Sequence, residues 1–278
     1  MLRLSVRALA LFALFAFVLP LALGARLLAA TGPERAALRC AAGIQRLWAR
    51  GLLALLGVEF ELVGAPPRGA FLIVANHLSY LDVPVLAALF PGRFVAKREI
   101  ADWPVLGRFA ELVGTIFVLQ KRTRDVVRVE REMTRTLAAG VPVLLFPEGH
   151  STRGVGIDRL HSSLLEGAVS QAVPCLAVTL GYETPLDPWA PAATVCWWGG
   201  MDFWRHARGL LALRGVRARV RVAEIPRLAR DRKTLAALLR ADLLAGFAPV
   251  RQGPIAPDYP WPELFETRPQ AGEALGQA

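Results

Sequence analysis

The chain has 278 residues, 54% of them hydrophobic and 20% charged, with a formal net charge of +10. That suffices for one large α/β domain with appendages or for two small domains, with apolar surface to spare. Three cysteines without paired spacing (Cys40, Cys175, Cys196) do not suggest a disulfide framework and fit a reducing compartment. No zinc-finger, RNA-recognition or helix-turn-helix signature accompanies the positive charge, so anionic lipid, not nucleic acid, is the expected partner.

The chain opens with an almost wholly apolar stretch, Leu4 to Leu23, flanked by Arg3, Arg7 and Arg26. About twenty such residues reach across a bilayer as a helix. Ala22-Leu23-Gly24 also has the form of a signal-peptidase site, but no disulfide-ready cysteines follow and the run exceeds a usual signal core. A membrane anchor is expected, either a span or a re-entrant hairpin with Pro20 bending it. Residues Glu34 to Leu56 follow with an apolar stripe (Leu38, Ile44, Leu47, Trp48, Leu52, Leu55) and arginines at 35, 39, 46 and 50. That pattern suits an interfacial helix and, equally, a helix packed on a core.

The globular part starts at Val58 with an alternating strand to Val63, and Gly64 to Gly69 is rich in turn residues. Phe71-Leu-Ile-Val-Ala75 is a short apolar run of the kind buried on both faces, ending at Asn76-His77. In open α/β sheets, ligands bind at that carboxyl edge. Asp82 lies five residues beyond His77, and Pro84 suits the first turn of a helix. A continuous helix would point the two side chains about 140° apart. A turn instead would fold them into a His-Asp dyad, with one imidazole nitrogen held and the other free as a base. The same residues also suit a turn histidine beside a helix cap.

Further elements are expected as follows: helix Pro84 to Phe90, strand Arg93 to Ala96, a short helix ending at Leu112, and strand Gly114 to Val118. Helix Thr123 to Ala139 and strand Val141 to Phe146 come next, then a helix from Leu160 to Gln171 and strand Val173 to Leu180. Strand Thr194 to Trp198, helix Asp202 to Leu213, strand Val216 to Ile225 and helix Asp231 to Phe247 complete the pattern. Such alternation indicates a mixed, largely parallel sheet flanked by helices. The expected organisation is an anchor and interfacial helix over 1–57, a catalytic domain over 58–250 with its motif core at 70–180, and a loose tail over 251–278.

Four blocks now carry a family resemblance: Asn76-His77-Leu-Ser-Tyr-Leu-Asp82, Gly114-Thr-Ile-Phe-Val118 with basic residues after it, Phe146-Pro-Glu-Gly149, and Val173-Pro-Cys-Leu-Ala-Val178. In this order the chain resembles the 1-acyl-sn-glycerol-3-phosphate acyltransferases. The resemblance implies acyl transfer from acyl-CoA or acyl-carrier protein to the free hydroxyl of lysophosphatidic acid, with no metal or bound cofactor. It implies His77 as base and Asp82 as its orienter. Lys121 and Arg122, with the Glu148-Gly149 loop, are expected on the same sheet edge to bind the acceptor, Glu148 positioning Arg153 or the hydroxyl. Backbone N–H groups near Gly149 are expected at the oxyanion. No nucleophile is required, and neither Ser79 nor Cys175 is well situated for one.

Two departures bear on the acceptor. Gln120 stands where the family carries Arg, and the third block reads Glu148-Gly-His-Ser-Thr-Arg153 where it commonly reads Glu-Gly-Thr followed by Arg or Thr. Acylation of another lyso-lipid, such as a lyso-ornithine lipid, is the alternative within the class. Outside it stand a membrane-anchored hydrolase with a metal on His77, Asp82 and His150, and a non-catalytic lipid-binding protein. Both thioester donors are cytosolic, so the expected location is the cytoplasmic face of the inner membrane, although arginines flank the apolar stretch on both sides.

Overall fold

The computed structural model describes residues 2–65, 69–119 and 123–253. Its centre is a seven-stranded sheet in the order β1-β7-β6-β2-β5-β3-β4, formed by β1 (Val58–Val63), β2 (Leu72–Ala75), β3 (Arg93–Lys97), β4 (Ile116–Val118), β5 (Val143–Leu145), β6 (Cys175–Glu183) and β7 (Val216–Val222). All pairings are parallel except β6 with β7. The short strands β2, β4 and β5 are buried throughout, which explains their apolar runs without alternation.

Successive strand residues feed two apolar cores. Ile73, Ala75, Leu144, Leu176, Val178 and Leu180 join one, and Leu72, Val74, Val143, Leu145 and Ala177 join the other. Helices α1 (Leu2–Thr31), α2 (Glu34–Leu56), α3 (Asp82–Leu89), α4 (Leu106–Leu112), α7 (Pro191–Thr194) and α8 (Phe203–Ala212) supply the first face. The second is covered by α5 (Thr123–Ala138), α6 (Glu166–Ser170) and α9 (Arg232–Gly246). Helix α9 is started by Asp231, whose carboxylate accepts from the Lys233 and Thr234 amides.

Helix α1 is unbroken through Pro20 and is long and apolar enough to cross a membrane. It turns at Gly32-Pro33 and runs back antiparallel to α2. Phe15 lies 6.1 Å from Trp48, and Arg7 donates to Leu56 O at 3.1 Å. A Cβ at Gly51 would stand 2.8 Å from Leu14 Cδ1, so glycine leaves room for α1 at this contact. The hairpin shares the domain's first core through Val18, Ala22, Trp48 and Leu53. Arg7 also donates to the carbonyls of Leu211 and Leu213 at the end of α8, where the helix dipole is negative.

The inward face of α2 is made by Ala37, Ala41, Ala42, Gln45, Trp48, Ala49, Leu53 and Leu56, offset from the stripe read in the sequence. Small residues there admit α3 closely. Arg46 is spent on Ala88 O, at the C-terminal end of α3, at 3.0 Å.

The expected strand at Thr194 to Trp198 is not formed. Pro191 opens the short helix α7, and the chain then runs irregularly, with Trp197 N donating to Leu78 O at 2.8 Å. Residues 190–196 are all buried, and an apolar run without period does not distinguish strand from buried helix. The loose tail expected from 251 lies outside the described residues from 254 onward.

Candidate active site

Strands β2 and β5 are in parallel register, Val74 opposite Leu145. Three positions beyond each lie His77 and Glu148, brought side by side at the carboxyl edge of the sheet. Asn76 extends the β2–β6 ladder with its side chain, accepting from Leu180 N at 2.7 Å and donating to Leu180 O at 3.1 Å. The sheet is thereby held up to the residue before His77.

The chain then turns, with Asp82 N donating to Ser79 O at 3.0 Å, and Asp82 enters the first turn of α3. The turn closes the distance that a continuous helix would leave. His77 Nδ1 stands 2.7 Å from Asp82 Oδ2. A carboxylate only accepts, so Nδ1 carries the hydrogen and Nε2 keeps its lone pair. Asp82 is fully buried, and its Oδ2 also accepts from the amides of Leu78 (2.6 Å) and Ser79 (3.0 Å). Its Oδ1 accepts from the Tyr182 hydroxyl at 2.7 Å. Four donors fix one carboxylate, which in turn fixes the imidazole.

The His77 ring stacks on Phe146 at 4.3 Å between centroids and 19° between planes, and its side chain is 21% exposed. The base therefore has an apolar wall on one side and an open edge. Thr152 N donates to His77 O at 2.9 Å, tying the third block directly to the first.

Glu148 is buried, and both its oxygens serve the backbone, Oε1 accepting from His77 N at 2.8 Å and Oε2 from Asp158 N at 3.0 Å. Burial raises its pKa above the usual carboxylate value, opposed by those two amides. Glu148 makes no ion pair with Arg153, whose guanidinium lies 5.9 Å from the Trp198 ring. Gly149 takes φ +76, and a Cβ would stand 3.2 Å from His161, so glycine suits the turn twice over. Its N–H donates to Phe146 O at 3.2 Å and is not free for an oxyanion.

His150 faces Asp158 at 3.0 Å on the surface and does not join the dyad. Lys121 and Arg122, expected to bind the acceptor, lie outside the described residues. Ser79 is buried with Oγ accepting from Leu81 N, and burial pushes the Cys175 thiol up to about 12, so neither is poised to attack.

Tyr182, Phe146 as a stacking wall and Thr152 were not singled out by motif. Tyr182 follows Leu176, Val178 and Leu180 on the inward face of β6. A tyrosine at such a position needs a buried partner for its hydroxyl, which is the one signal the sequence held.

The family model described as Acyltransferase matches residues 59–181. A 1-acyl-sn-glycerol-3-phosphate acyltransferase of Neisseria meningitidis is 38% identical over 137 residues, 48% of this chain and 53% of that protein. The chain thus spans about half the length of that relative. A lyso-ornithine lipid O-acyltransferase of Pseudomonas aeruginosa is 34% identical over 196 residues, 69% of this chain and 74% of that protein. The crystal structure of a 1-acyl-sn-glycerophosphate acyltransferase from Thermotoga maritima superposes with a TM-score of 0.57 at 20% identity, covering 87% of this chain and 95% of that one. At that identity the likeness is one of fold.

Proposed function

Because the chain belongs to the acyltransferase family, we propose that it moves a fatty acyl group from acyl-CoA or acyl-carrier protein to the free hydroxyl of lysophosphatidic acid, making phosphatidic acid. The observation that carries this reading is the dyad: His77 Nδ1 is held by Asp82 at 2.7 Å while the ring keeps an exposed edge. Nε2 takes the proton of the acceptor hydroxyl as its oxygen attacks the thioester carbonyl. The tetrahedral intermediate then collapses, and the donor's sulfur leaves and receives that proton. Attack is direct, without an acyl-enzyme.

Arg153, exposed on the third block, supplies positive charge for the acceptor's phosphate, together with Lys121 and Arg122. The apolar helix α1 holds the enzyme to the membrane, and the cytosolic donors set the site on the cytoplasmic face of the inner membrane.

A second acceptor, a lyso-ornithine lipid, is favoured by the longer match to the Pseudomonas relative and by Ser151. Ser151 stands where the family places Arg or Thr, and its hydroxyl is spent on Trp197 O. The test is acyl transfer by detergent-solubilised enzyme beside His77→Ala, with both donors and both acceptors. Transfer to lysophosphatidic acid that falls about a thousandfold or more in the variant supports base and acceptor together. Transfer only to the lyso-ornithine lipid keeps the chemistry and changes the acceptor. No transfer to either overturns the reading.

A further inference from the structure

A run of aromatic rings leads from the dyad turn to the surface. Tyr80, three residues after His77, lies 5.1 Å from Phe203 and 5.9 Å from Trp197. Trp103 stands 4.5 Å from Phe203, and Trp204 5.1 Å from it on the outside. Tyr80 is braced from below by His206, its hydroxyl 2.8 Å from Nδ1, while Nε2 of the same ring donates to Cys196 O at 3.0 Å.

The outer edge is apolar and open. Trp204 is 63% exposed, and Val105 is 48% exposed. Val105 has φ 61 and ψ −58, with Leu106 N donating to Pro104 O at 2.6 Å, a strained γ-turn that a β-branched residue rarely occupies. The backbone thus carries strain where it thrusts an isopropyl group outward beside Trp103. Water gives no return for exposing Val105, two residues on from Trp103, or Trp204, and exposed large apolar side chains of this kind mark an interaction surface.

The position of the patch identifies its partner. Val105 leads directly into α4 and Phe203 opens α8, and both helices pack against α1. On its open side α1 shows Leu9 at 71% and Phe12 at 72% exposure. Amphipathic indole rings favour the bilayer interface, and exposed Arg205 beside the patch suits anionic headgroups, while Arg108 shares its charge with Glu111 at 3.1 Å.

We propose that the shelf of Trp103, Val105, Phe203 and Trp204 is a second membrane-contact surface, seated on anionic lipid beside α1, which sets the open side of the His77 dyad at headgroup level. Lysolipid then reaches the base along the rings by lateral movement, without passing through water.

The kinetic part rests on the acyltransferase reading; the binding part does not. The full chain is bound to phosphatidylglycerol–phosphatidylethanolamine vesicles whose acyl chains are brominated near the headgroup or left plain. Trp204 emission is taken as the difference between wild type and Trp204→Phe. Quenching of that difference by the brominated lipid is expected, and equal emission in both vesicles overturns the proposal. In the kinetic arm, Val105→Asp with Trp204→Glu is expected to lower turnover of vesicle-borne acceptor about tenfold, leaving a monomeric short-chain acceptor within about twofold. Equal losses on both acceptors make the shelf a substrate wall and overturn the proposal, as does no loss on vesicles. If wild type acylates neither acceptor, the functional reading falls, while quenching still decides the shelf.

Discussion

Tyr182 donates its hydroxyl to Asp82 Oδ1 at 2.7 Å, from the strand that pairs with the one leading to His77. Burial and the neighbouring carboxylate hold the Tyr182 pKa well above its ordinary value, so it remains a donor wherever the fold persists. His77 and two amides use one carboxylate oxygen, and Tyr182 uses the other.

Tyr182→Phe removes a buried, charge-assisted hydrogen bond. Stability is expected to drop by about 2 kcal/mol in urea melts. Turnover is expected to fall about tenfold because Asp82 loses one of its restraints. Unchanged turnover would mean that the two amides alone orient the carboxylate.

Asp82→Asn replaces four accepting sites with one oxygen and an amino group that must face a donor. Transfer is expected to fall by about three to four orders of magnitude, the scale seen when a base loses its tautomer control. Circular dichroism of the variant, compared with wild type, separates this from unfolding. Activity near wild type would remove Asp82 from the mechanism.

Glu148 serves backbone amides on both oxygens, so its substitution tests support of the base against contact with substrate. In Glu148→Gln one amide, at His77 or Asp158, meets an NH2 group, and stability is expected to fall by about 2 kcal/mol. kcat should fall with KM for the acceptor unchanged. A rise in KM alone would make Glu148 a substrate ligand.

His206 is fully buried, and burial lowers its pKa to about 4 from an ordinary 6.5. Between those values the unfolded chain binds a proton that the folded chain refuses, so stability is lost as pH falls through that window. The loss approaches about 3 kcal/mol at its lower end. Urea midpoints measured from pH 7 to pH 4 should decline in wild type, and the His206→Gln variant should show a shallower slope. Gln offers an acceptor for Tyr80 and a donor for Cys196 O, which makes it the conservative comparison.

Much of the fold was legible along the chain. The dyad turn, the apolar strands β2 and β5 and the long helix α5 follow from patterns confined to a few successive residues. Thr194 to Trp198 does not form the expected strand, because an apolar run buried from 190 to 196 has no period to tell strand from helix. On α2 the most buried positions include Ala37, Ala41, Ala42 and Ala49, small residues that a stripe of large apolar side chains does not mark.

By itself the sequence determined that apolar runs alternate with amphipathic helices, that polar residues collect at the strand ends, and that a long apolar helix precedes them. These are local consequences of side-chain periodicity and turn chemistry. Only the tertiary structure decided that Tyr182, 100 residues from Asp82, closes the dyad, and that Glu148 supports His77 through its amide. It alone joined Trp103 to Phe203 and Arg7 to the end of α8. Such contacts depend on strand register and helix packing, which bring distant positions within hydrogen-bond reach without leaving any periodic mark in the chain.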